Sequence, residues 1–133
     1  MNLIKVLAID DSSVSRQVIA LLLANDRDID LAASASSAQE AWEELQNNNI
    51  DVITLDLDLP DGDGLEMLEL LTIKDTCGVV VVSGDDRQHK LAIQLGATAC
   101  FEKLTLINEQ TRFLSAIREA AGLGKGPRRQ TMH

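Results

Sequence analysis

The four consecutive valines Val79 to Val82, bounded by Gly78 on one side and Ser83-Gly84 on the other, form the most strand-like stretch of the chain. A short run with no polar face reads as a strand buried on both sides, and such strands need helices to cover them. Four other segments share the character. Leu3 to Ile9 is nearly all apolar and ends at once in Asp10-Asp11-Ser12-Ser13, Ile29 to Ala33 is shorter, Asp51 to Leu55 delivers Asp56, and Thr98 to Glu102 leads to Lys103. Segments of helical period lie between them. Val14, Val18, Ile19 and Leu22 recur on one face behind a capping Ser12 or Ser13. Ser37 to Glu40 has capping-box spacing and opens a helix with Ala38, Ala41, Trp42 and Leu45 on one side, stopped by Asn47-Asn48-Asn49. Leu65, Leu68 and Leu71 mark a third helix after a turn carrying Pro60, Gly62 and Gly64. A fourth, over Asp85 to Leu95, has its stripe at Leu91, Ala92 and Leu95, and a last one runs from about Ile107 through Phe113, Leu114, Ile117 and Ala121 to Gly122.

Five apolar strands alternating with five amphipathic helices predict a doubly wound α/β fold, a parallel sheet covered on both faces. Right-handed crossovers limit the winding yet leave two strand orders open. In either order, function collects at the C-terminal ends of the strands. The length of 133 residues suits one domain, expected over 1–122. Gly124-Lys125-Gly126-Pro127-Arg128-Arg129 has no apolar periodicity, so 123–133 is expected to be a flexible basic tail with no output domain after it.

Hydrophobic residues at 45% and charged residues at 25% suit a packed core and exclude a disordered chain. Lys plus Arg number 12 against 21 Asp plus Glu, a formal charge of −9, which argues against nucleic acid and anionic membranes as partners. The acids concentrate between Glu40 and Asp75, where eleven stand against the single base Lys74. No apolar run approaches the roughly 20 residues needed to span a bilayer, and Met1 to Lys5 runs into a strand instead of a signal peptide, so a cytoplasmic protein is expected. Cys77 and Cys100 have neither metal nor redox spacing and read as small apolar fillers.

The strand tips carry Asp10-Asp11, Asp56, Ser83 and Lys103 in chain order. Carboxylates held ~5 Å apart repel by roughly 3 kcal/mol per pair at an effective dielectric of about 20, so three acids on one rim call for a counter-charge. The candidate ligands are all oxygens, with no His or Cys among them, which favours Mg²⁺ or Mn²⁺ over zinc or copper. A single Asp after a strand is more often a turn former or a helix cap. The specific signal is the joint arrangement of acids, hydroxyl and lysine.

With these residues the chain resembles a response-regulator receiver domain of bacterial two-component signalling, of the stand-alone type, over roughly residues 3 to 121. The turn Leu59-Pro60-Asp61-Gly62-Asp63-Gly64 resembles the family's Met-Pro-x-x-Asp-Gly. The resemblance implies a flavodoxin-like sheet of strand order 2-1-3-4-5. It implies that Asp56 accepts a phosphoryl group from a phosphohistidine on a histidine kinase or histidine phosphotransfer protein, with Lys103 and Ser83 contacting that group. Mg²⁺ is implied at Asp11, Asp56 and the backbone carbonyl of Asp58, with Asp10 acting through water. Asp58 and Asp85 fall where the family tunes dephosphorylation. Output by binding a downstream protein through the fourth helix, fifth strand and fifth helix is implied too, from a monomer or a phosphorylation-dependent dimer and without catalysis beyond self-phosphotransfer and self-dephosphorylation. Two positions depart from the family: Leu104 stands where a proline usually follows the lysine, and Cys100 occupies the switch position usually held by Tyr or Phe, with Phe101 aimed at the opposite face.

Particular residues bear on other readings. A degenerate receiver serving as a constitutive adaptor or dimerisation module is opposed by intact Asp56, Ser83 and Lys103. A haloacid-dehalogenase-type phosphatase is suggested by Asp56-Leu57-Asp58, but Pro60 stands where that motif needs Thr. A calcium loop beginning at Asp56 fails because Asp61 and Met67 hold the places of its Gly and Glu. Trp42 reads as core, and His89 and His133 as solvated side chains without partners.

Overall fold

The computed structural model describes residues 3–124; residues 123–124, expected to open the tail, instead end the last helix, and the rest of the expected tail 123–133 lies outside the described residues. Five strands, β1 (Ile4–Ile9), β2 (Ile29–Ala35), β3 (Val52–Leu55), β4 (Gly78–Ser83) and β5 (Ala99–Glu102), pair in parallel in the order β2-β1-β3-β4-β5. This is the flavodoxin-like order, and it resolves the choice that periodicity left open. The helices are α1 (Ser13–Ala24), α2 (Ala38–Asn47), α3 (Gly64–Lys74), α4 (His89–Gln94) and α5 (Gln110–Gly124). Between β3 and α3, Asp58–Leu59 and Gly62–Asp63 pair as a short antiparallel ribbon.

The valine run shows why this sheet needs two covers. Successive side chains of a strand point to opposite faces. Val79 and Val81 enter a core with Met67, Leu68 and Leu71 of α3 and Ala41 of α2, while Val80 and Val82 enter another with Ile19 and Leu23 of α1 and Phe113 and Ile117 of α5. Burying each such side chain contributes roughly 1.5–3 kcal/mol. The same alternation sends Cys100 toward the first core and Phe101 into the second, where it meets Phe113 edge-on at 5.5 Å.

Helix starts follow their caps. Ser12 accepts from Ser15 N, and Ser37 accepts from Glu40 N, while Glu40 reaches back to Ser36 instead of Ser37. The fourth and fifth helices start later than their apolar stripes suggest. The carboxylate of Asp85 accepts from Arg87 N and sets a 3-10 turn over Asp86–Gln88, so α4 begins only at His89, buries Ala92 and leaves Leu91 exposed. A second 3-10 segment, Lys103–Glu109, precedes α5 and leaves Ile107 exposed. Val14 is likewise exposed, with Leu23 buried in its stead. Trp42 is half-buried against the α2/α3 core and lines a groove of about 790 Å³ with Leu45, Ile50, Leu71 and Cys77, at the N-terminal end of β3 and β4. Among the described residues no helix is long and apolar enough to cross a membrane.

Candidate functional site

Parallel pairing brings the ends of β1 and β3 side by side, and the ladder continues one residue past each. Asp56 N donates to Ile9 O at 2.9 Å, and Asp10 N donates to Ala35 O at 3.0 Å. Asp10 and Asp56 are thereby fixed on adjacent strands, 1% and 2% exposed. Asp11 stands beside them at the surface, and one carboxylate oxygen from each of the three lies within 4.8 Å of the others. Lys103, at the end of β5, reaches over β4 to donate to Asp56 Oδ2 at 2.8 Å and Asp10 Oδ1 at 3.1 Å. The five residue positions singled out at four strand tips thus converge on one edge, with Ser83 ending β4 between them.

Charge is incompletely balanced in this cluster. Three carboxylates face one ammonium, and each carboxylate pair at this spacing repels by about 3 kcal/mol. Burial pushes the Asp56 carboxyl up from its ordinary value, the Lys103 and Asp58 hydrogen bonds pull it back, and Asp10 adds to the rise. Burial pulls the Lys103 ammonium down, yet its bonds to Asp56 and Asp10 outweigh this and hold it above its ordinary value. Asp10 Oδ1 also accepts from Ser12 N at 2.9 Å, whereas Asp10 Oδ2 is buried with no hydrogen-bond partner among the described residues. A buried carboxylate oxygen without a donor is costly, and a hard divalent cation is the group this all-oxygen set fits.

The flanking positions divide. Asp58 is exposed, and its N–H donates to Asp56 Oδ1 at 3.1 Å, holding that oxygen in place. Asp85 turns its carboxylate to Arg87, which donates from Nε and Nη2 and holds the acid down at about 2. Cys100 is half-buried, and burial pushes its thiol up to about 11. Its Sγ donates to the backbone oxygen of His89 at 3.6 Å.

His89 corrects an expectation. It is half-buried, with Nε2 3.3 Å from the Ser83 hydroxyl, not a solvated side chain without a partner. Two further contacts carried no local sequence signal. Arg16 Nη1 donates to the backbone oxygen of Asp10, and Asp61 accepts from Ala38 N and Gln39 N, so the turn after Asp56 caps α2.

The family model of the response regulator receiver domain matches residues 6–115. Among curated relatives, a protein-glutamate methylesterase/protein-glutamine glutaminase of Koribacter versatilis is 34% identical over 137 residues, covering 96% of this chain and 38% of its own length. Another, of Geobacter metallireducens, is 35% identical over 115 residues, covering 83% of this chain and 32% of its own. The chain therefore spans about a third of the length of these relatives. Among solved structures, the response regulator domain of Thermotoga maritima CheB has a TM-score of 0.80 at 28% identity, over 90% of this chain and 97% of that one. A chain from the complex of the CheA3 P1 domain with CheY6 of R. sphaeroides has a TM-score of 0.73 at 25% identity, over 90% and 100%. With the family model spanning most of the sequence and the sheet order and rim chemistry in agreement with it, the chain belongs to the response regulator receiver domain family.

Proposed function

We propose that this receiver takes a phosphoryl group from a phosphohistidine onto Asp56, with Mg²⁺, and that the resulting change at Ser83 alters its binding to other proteins. The observation that carries the reading is the buried Asp56 carboxylate, held by Lys103 next to a partnerless oxygen of Asp10. An Asp56 carboxylate oxygen attacks phosphorus as the P–N bond breaks. The bonding pair leaves with the imidazole of the donor, and an acyl phosphate remains. Asp11, Asp56 and the Asp58 carbonyl would hold the cation, with Asp10 through water, and Mg²⁺ or Mn²⁺ bound there would supply positive charge against the phosphoryl oxygens. Lys103, bonded to Asp56 Oδ2, would exchange that carboxylate oxygen for a phosphoryl oxygen. Phosphorylation brings about −1.5 to −2 charge, and the Ser83 hydroxyl would turn to answer it by hydrogen bonding.

A histidine kinase or histidine phosphotransfer protein is the donor this chemistry needs. Exposed Leu91 and Ile93 on α4 support reading of the state by a downstream protein at the α4, β5 and α5 face. Asp58, exposed beside Asp56, and Asp85, half-buried two residues past Ser83, are the positions expected to tune the phosphoryl lifetime.

The test is incubation with acetyl phosphate and Mg²⁺, followed by intact mass. One hydroxylamine-labile phosphoryl group per chain, absent from Asp56→Asn, is expected. No label in either protein sinks the reading in favour of a constitutive adaptor, and repeated turnover of an added phosphomonoester sinks it in favour of a phosphatase. Trp42 lies at the far end of the sheet, so backbone amide shifts are the better conformational readout.

A further inference from the structure

Three groups from the segment after β4 hold the Ser83 hydroxyl. Its Oγ lies 2.9 Å from the Asp85 carbonyl oxygen, 3.2 Å from the Asp85 backbone nitrogen and 3.3 Å from Nε2 of His89. A serine hydroxyl has one proton to give and two lone pairs. One arrangement satisfies all three contacts together: Ser83 donates to the Asp85 carbonyl and accepts from the Asp85 N–H and from an Nε2–H of His89. In the other tautomer, Nε2 and the Asp85 carbonyl compete for a single proton.

His89 is also the first residue of α4, and its own carbonyl accepts from Cys100 on β5. One residue thus ties β4, α4 and β5 together. Among the described residues no hydrogen bond joins Ser83 to Asp56, Asp10 or Lys103. The hydroxyl is engaged entirely by its own loop and helix.

We propose that His89 is a positioning residue that latches the Ser83 hydroxyl in its resting direction, so that turning the hydroxyl to a phosphoryl group on Asp56 releases the start of α4. The inference rests on the phosphoacceptor reading of Asp56. A contact made only in the resting state opposes any ligand that selects the other state, by the whole worth of that contact. A net hydrogen bond of this kind corresponds to about two- to tenfold in an equilibrium constant. Removing the imidazole therefore strengthens phosphoryl binding, the opposite of what damage to the site does.

Beryllofluoride with Mg²⁺, a phosphoryl mimic, provides the test at constant pH, with affinity read from backbone amide shifts. His89→Ala is expected to bind about two- to tenfold more tightly than wild type. Its Leu91 and Ala92 amides, without beryllofluoride, are expected to lie already displaced toward their loaded wild-type positions. His89→Gln, whose side-chain N–H replaces Nε2–H, returns affinity to within about twofold of wild type. In wild type itself, imidazole nitrogen shifts are expected to show the proton on Nε2 and a changed Nε2 shift on loading, a readout that needs no variant to fold. Unchanged or weaker binding by His89→Ala, a Gln variant that behaves like Ala, or an Nε2 shift insensitive to loading each overturns the latch. If wild type binds and Asp56→Asn does not, such a result leaves the phosphoacceptor reading standing. Failure of wild type to bind sinks that reading and the latch with it.

Discussion

Lys103 Nζ sits 2.8 Å from Asp56 Oδ2, carrying a positive charge from the end of β5 across the tip of β4 to the end of β3. The same ammonium reaches Asp10 on β1, so one cation binds the ends of three strands and offsets part of the charge of two buried carboxylates. Lys103→Met keeps an apolar stem and removes the charge. Breaking a buried pair from one side costs about 3 kcal/mol, because the uncompensated charges stay behind. The variant is expected to lose roughly that much stability without Mg²⁺ and to recover part of it when the cation is added. Urea unfolding with and without Mg²⁺ measures both, and an equal midpoint for the two proteins would show that the ammonium does not balance these acids.

Asp56 gives a stability effect of opposite sign. Burial raises its carboxyl above the ordinary 3.8, so between that value and the raised one the folded chain binds more protons than the unfolded chain. Stability contributed by the protonated form is lost as pH rises through this interval, and it remains lost above it. Asp56→Asn keeps an acceptor for Lys103 and removes the buried charge. It is expected to be more stable than wild type at pH 7, with a higher Tm, and the gap is expected to close toward pH 4. Thermal melts at the two pH values decide the matter, and a gap that widens on acidification contradicts it.

The site was legible because its chemistry follows directly after buried strands. Asp10, Asp56, Ser83 and Lys103 each end an apolar run, and parallel sheets expose such positions together whatever the strand order. The order itself was not legible from periodicity, since helices on both faces give the same apolar stripes in either winding. His89 was missed for a local reason. Its contact with Ser83 depends on where α4 begins, and the Asp85 carboxylate delays that start by folding Asp86–Gln88 into a 3-10 turn. Asp61 was missed for a distant one: it caps Ala38 and Gln39, more than twenty residues away in the chain.

Asp10 Oδ2, buried beside Asp11 and Asp56 without a partner among the described residues, predicts cation-dependent stability. Mg²⁺ at about ten times its Kd stabilises by about 1.4 kcal/mol if it binds the folded chain alone. Asp11 is exposed, so Asp11→Asn is expected to fold as wild type and to lose this gain. Thermal melts against Mg²⁺ at matched ionic strength compare the two. The same rise in both would point to general screening of a chain with net charge −9, and not to a site.

Gly64 opens α3 where a Cβ would lie 2.4 Å from Leu57 Cα and 2.5 Å from Leu57 O. Both atoms are backbone and cannot swing aside. Gly64 N also donates to Leu57 O at 3.2 Å, so the helix start is pressed against the residue after Asp56. Alanine gains at most about 1 kcal/mol of helix propensity, while forcing a methyl into close-packed surroundings costs about 1–3 kcal/mol or more. With contacts this short the second effect wins, and Gly64→Ala is expected to lose about 2 kcal/mol. Displacing Leu57 also disturbs the bond from Asp58 N to Asp56 Oδ1, so labelling by acetyl phosphate is expected to slow in the folded variant. Gly84, with nothing among the described residues within 4 Å of its Cβ position, is the control, and Gly84→Ala is expected within about 0.5 kcal/mol of wild type. Urea midpoints and labelling rates of the two variants side by side check the argument, which fails if both glycines tolerate the methyl equally.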